Sequence, residues 1–151
     1  DSTFSNVYDY SYEGSKVCAD MKYQTRKILK KLPYFEGKNN VVIISFGTND
    51  YFKKCGCNTN KLFKTRLMEI KDKFPKTKII VIIPTHIYKV RNDEKIRSLY
   101  EYQETTPSIR RMSMCIKTGD YLGSSDIKSD CLHFTSSGYR KTVAKIKEMI
   151  H

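Results

Sequence analysis

Two short runs rich in β-branched residues, Val41–Phe46 and Lys78–Ile83, constrain the fold of this chain more than any other feature. Neither alternates between apolar and polar positions, so each reads as a strand buried on both faces, the pattern of parallel sheets covered by helices. A parallel pair needs a long crossover. Thr59–Phe74 supplies one, with Leu62, Phe63, Leu67, Ile70 and Phe74 on one helical face and Pro75 after it. The same periodicity predicts a helix over Ser15–Leu32, carrying Val17, Met21, Ile28 and Leu32 and ended by Pro33.

Beyond Pro84, Asn92 or Asp93 can cap a helix bearing Ile96, Leu99 and Tyr100, which Thr105-Thr106-Pro107 breaks. Ile109–Ile116 reads as a weaker, partly polar strand and Thr118–Asp130 as loop. A last helix starts near Ser136 or Ser137 and places Tyr139, Val143, Ile146 and Ile150 on one stripe. Val7–Tyr10 is a further strand candidate, and the alternation of Tyr8, Tyr10 and Tyr12 suits a strand face better than a stacking platform for bases. Strands alternating with helices predict one three-layer α/β/α domain over residues 1–151, with a mostly parallel sheet.

Composition narrows the function classes. Hydrophobic residues make up 39% and charged residues 29% of 151, which excludes a disordered chain. No apolar run approaches the roughly 20 residues a membrane helix needs. The formal net charge of +12 favours contact with polyanions, or serves solubility through a Lys-rich surface. Cys18, Cys55, Cys57, Cys115 and Cys131 are odd in number and match no disulfide framework or zinc spacing. Free thiols in an intracellular reducing compartment are favoured, with a virion or secreted location open.

Ligands of doubly wound sheets bind at the carboxyl ends of the strands. Gly47-Thr48-Asn49-Asp50 directly follows the run Val41–Phe46, and Asp130-Cys131-Leu132-His133 precedes the last helix. Asp1-Ser2 stands at the start, and Gly14 lies in the turn before the first helix. Acyl transfer needs a nucleophile, a base, a group that orients the base and donors for the oxyanion. Ser2, His133 and Asp130 can fill the first three roles. The Asn49 amide and the backbone N–H groups of Ser2 and Gly14 can form the oxyanion hole. His86, after Pro84 at the end of a strand, could contact substrate but is expected rather as a structural loop residue.

In this order, Asp1-Ser2, Gly14, Gly47-x-Asn49-Asp50 and Asp130-x-x-His133-Phe134-Thr135 resemble the four sequence blocks of the SGNH (GDSL-like) esterase and lipase hydrolases. The resemblance implies the flavodoxin-like sandwich of that family, with Ser2, Asp130 and His133 as the triad and Ser2, Gly14 and Asn49 around the oxyanion. It implies hydrolysis of acyl or acetyl esters of small molecules, lipids or carbohydrates, with no cofactor and no metal. The Gly before the nucleophile and the family's first strand do not occur in the sequence, so an upstream polypeptide segment is expected to supply them. The rival expectation is an SGNH-like module without turnover, holding nucleic acid or an anionic glycan within a larger viral or transposon-type protein.

Overall fold

A computed structural model describes residues 17, 21–31, 40–45, 48 and 58–150 of the chain. At its centre lie three parallel strands in the order β1-β2-β3: β1 (Val41–Ile44), β2 (Lys78–Ile83) and β3 (Met114–Lys117). Val41 sits opposite Lys78, and Ile80 opposite Met114, so β2 is hydrogen-bonded on both edges. The helices are α1 (Met21–Lys31), α2 (Thr59–Lys73), α3 (His86–Arg91), α4 (Glu94–Thr105), α5 (Pro107–Met112) and α6 (Ser136–Ile150).

The lack of alternation in β2 is explained by its two buried faces. Ile79, Val81 and Ile83 pack on one side with Met21, Phe63, Leu67, Ile70, Ile96, Tyr100 and Ile109. Ile80 packs on the other with Ile116 of β3 and Ile146 of α6. Each such aliphatic side chain removed from water contributes about 1.5–3 kcal/mol. Helices thus cover both faces of a small parallel sheet, an α/β arrangement compatible with three layers.

Local signals explain the helix limits. The Asn58 side chain accepts the Lys61 N–H at the start of α2 (3.1 Å). Asp93 caps α4 through the Lys95 N–H (2.9 Å), while Asn92 closes α3 in the left-handed region at φ 50°.

The structure corrects several expectations. β1, expected to be buried on both faces, leaves Ile43 46% exposed and buries only Ile44 fully. Ile109–Ile116 is not one strand. Pro107 opens the short helix α5, where its missing N–H costs nothing, and Ser113 turns the chain extended before β3. The stretch Thr118–Asp130 contains two 3₁₀ turns, Thr118–Asp120 and Ser124–Asp126. The expected strand Val7–Tyr10, with Tyr8, Tyr10 and Tyr12, lies outside the described residues, as do Cys18, Cys55 and Cys57. Cys115 and Cys131 are free thiols. No helix among the described residues is long and apolar enough to cross a membrane.

Candidate functional site

The Asp130–His133 loop is a short, closed excursion from the body of the domain. Ile127 and Phe134 form an antiparallel bridge at its base, and the Lys128 N–H donates to the His133 carbonyl (2.8 Å). Cys131 turns the tip at φ 60°, with its N–H on the Lys128 carbonyl (2.9 Å). That turn brings the ends of Asp-x-x-His together. Asp130 Oδ1 accepts the N–H groups of Leu132 (2.9 Å) and His133 (3.0 Å), and Oδ2 meets His133 Nδ1 at 2.5 Å.

This pairing settles the chemistry of both groups. The hydrogen bond from the His133 ring, followed by the two backbone N–H groups, holds the Asp130 carboxyl well below the usual carboxylate range. An ionised Asp130 accepts from Nδ1–H, so the neutral imidazole carries its proton there and keeps Nε2 as the basic nitrogen. The His133 and Asp130 side chains are 54% and 46% exposed. Water therefore screens their charges, and the directed hydrogen bonds fix the geometry.

Below the loop, Asp126 anchors it to α6. Its side chain, 1% exposed, accepts from Lys141 Nζ (2.7 Å), Ser137 Oγ (2.7 Å) and the Gly123 N–H (2.8 Å). Its carbonyl takes the Thr135 N–H (2.9 Å). Gly138 lets α6 approach this close, for a Cβ there would lie 2.3 Å from the Asp126 carbonyl oxygen.

On the sheet side the loop is tied to the carboxyl end of β2 through His86. This residue is not in a loop but opens α3, and it is 1% exposed. Its Nε2 lies 2.9 Å from the Leu132 carbonyl and its Nδ1 2.7 Å from Thr118 Oγ1, just past β3. Thr118 also accepts the His86 N–H (3.2 Å). Burial lowers the His86 pKa, with the Leu132 hydrogen bond acting in the opposite sense. A second buried side chain serves the other motif: the Tyr100 hydroxyl of α4 is hydrogen-bonded to Thr48, the residue before Asn49. Burial pushes the Tyr100 phenol far above its ordinary range.

Of the expected site residues, Asp130 and His133 are brought together. Ser2, Gly14 and Asn49 lie outside the described residues, with Gly47 and Asp50. Tyr100, Asp126 and Lys141 are supports that sequence reasoning missed, while His86, expected as a structural residue, supports the loop from the start of α3. A recess of about 430 Å³ opens elsewhere, between Thr85, Tyr88, Lys89, Arg97 and Asp120, and receives nothing from the Asp130–His133 loop. Its lysine donates to the Gly119 carbonyl and its arginine to Asn92. Among the described residues no three His, Cys, Asp or Glu side chains converge as metal ligands would. Comparison with protein-family models, with curated proteins and with solved structures finds no match.

Proposed function

We propose that this chain is a serine esterase of the SGNH type, hydrolysing carboxylic esters through an acyl-Ser2 intermediate. The observation that carries the reading is the Asp130–His133 pair, joined at 2.5 Å on a loop fastened to the carboxyl ends of parallel strands. There an imidazole held by an ionised carboxylate is equipped to act as a general base. In the proposed reaction His133 Nε2 takes the Ser2 hydroxyl proton as Oγ attacks the ester carbonyl. The Asn49 amide and the backbone N–H groups of Ser2 and Gly14 receive the oxyanion. His133 then returns the proton to the departing alcohol, and water repeats the sequence to release the acid. Asp130 remains ionised throughout and holds the Nδ1–H tautomer.

The test is turnover of short- and long-chain p-nitrophenyl esters. Ser2→Ala and His133→Ala should each lower kcat by about 10⁴–10⁶, because triad members act as a unit. Asn49→Ala should lose about 10²–10³, the worth of one oxyanion donor. Wild-type turnover by Ser2→Ala would end the proposal.

A further inference from the structure

The proposed chemistry makes no use of His86, yet this is the histidine buried most deeply against the Asp130–His133 loop. Its partners assign its tautomer. The Leu132 carbonyl only accepts, so Nε2 carries the proton. In the neutral ring Nδ1 is then bare and faces the Thr118 hydroxyl at 2.7 Å, a hydroxyl shared with the Ile83 carbonyl at the end of β2 (3.3 Å). Phe134 packs edge-on against the ring, with centroids 5.2 Å apart. With both nitrogens engaged and 1% of its surface exposed, His86 has no access to a substrate.

What it touches is one peptide group. The Leu132 carbonyl and the His133 N–H belong to the same peptide unit. That unit is gripped at both ends, the carbonyl by His86 Nε2 and the N–H by Asp130 Oδ1. A planar amide held at both ends has its plane fixed, and with it the position of the His133 Cα. The Lys128 N–H on the His133 carbonyl (2.8 Å) holds the peptide that follows, so the two planes together limit the direction in which the His133 side chain leaves the backbone. Asp130 alone would fix the imidazole relative to the loop. His86 fixes the loop relative to β2 and, through Thr118, to β3.

We propose that His86 is a positioning residue for His133, holding the peptide before it at the distance from the sheet that proton transfer requires. The proposal rests on the esterase reading. It assigns to a buried side chain the difference between a base that is present and one that is aimed. A misplacement of about 1 Å at a reacting group costs about 10²-fold in rate.

Two amide variants separate this role from packing. His86→Gln can still present an N–H to the Leu132 carbonyl, whereas His86→Asn is polar but too short to reach it. We expect His86→Gln to keep nearly the wild-type kcat. We expect His86→Asn to lose about 10²-fold in kcat with KM unchanged, as loss of aim without loss of binding requires. Amide hydrogen exchange, read on the same proteins, should be faster at His133 in His86→Asn than in His86→Gln, with the β2 amides of Ile80 and Ile82 alike in both. Equal kcat in the two variants overturns the proposal, whatever the amides do. His133→Ala, run in the same assay, tells the failures apart. If it is inactive while the two His86 variants match, only the positioning role falls; if it turns over like the wild type, the esterase reading falls and takes this proposal with it.

Discussion

A carboxylate buried as deeply as Asp126 persists only if its charge is answered, and three donors answer it. Lys141 contributes most, then the Gly123 N–H and the Ser137 hydroxyl, and together they lower its pKa to about 2. An unfolded Asp titrates near about 3.9, so the folded value is the lower one. The stabilisation is therefore complete above the unfolded pKa and is lost as pH falls toward about 2. Asp126→Asn should melt below the wild type at neutral pH, and the gap should close as acid protonates the wild-type carboxyl. Thermal melts of both proteins across that range check this, and a constant gap would show that the charge is not what holds. The same residue marks where sequence legibility ends. Asp130 and His133 could be read from their spacing because a single turn joins them. Asp126 could not, since Ser137 and Lys141 reach it only after the chain has rounded the loop and entered α6.

Elements were legible where one physical signal ruled. β2 was read to its limits, as its composition leaves no polar face. The last helix begins at Ser136, one of the two residues offered for it. Ile109–Ile116 was misread because two elements meet inside it: Ile109 is buried from a six-residue helix and Ile116 from a four-residue strand, and neither is long enough to show its own period. His86 was read as loop because Pro84 ended the strand and the six-residue α3 is too short to show periodicity. The close approach of α6 to the loop could not be read either, and it depends on Gly138. Alanine at Gly138 would gain about 1 kcal/mol in helix propensity. Against that, its Cβ would meet the Asp126 carbonyl at 2.3 Å and Phe134 Cβ at 3.0 Å, backbone and stem atoms that cannot rotate away. Overpacking costs about 1–3 kcal/mol, so the net effect should be destabilising. Chemical denaturation of Gly138→Ala reads it directly, and an unchanged or raised midpoint would mean that α6 can slide along the loop.

For the whole molecule the open question is what the charge of +12 serves. A surface that tracks a nucleic acid needs its cations along one groove or face. Among the described residues they are dispersed. Lys22 and Lys30 of α1 and Lys61 and Lys73 of α2 are exposed on one side of the sheet, and Arg140 and Lys141 of α6 on the other. Lys141 is moreover paired with Asp126, Lys117 with Glu104, and Lys145 with Glu148. Charge spread over opposite faces raises the average attraction to any polyanion but lets few cations engage one strand together. Each phosphate neutralised on duplex DNA adds about 0.9 to the slope of log K against log salt, so that slope counts the cations acting at once. We expect weak binding to DNA and heparin, a slope corresponding to fewer than about three phosphates, and loss of binding by physiological salt. Fluorescence anisotropy over a salt series measures it. A slope worth about five phosphates or more, with micromolar binding retained at physiological salt, would instead mean that these cations converge on a single polyanion. The domain would then be a binding module, and the Asp130–His133 loop would have to be explained without turnover.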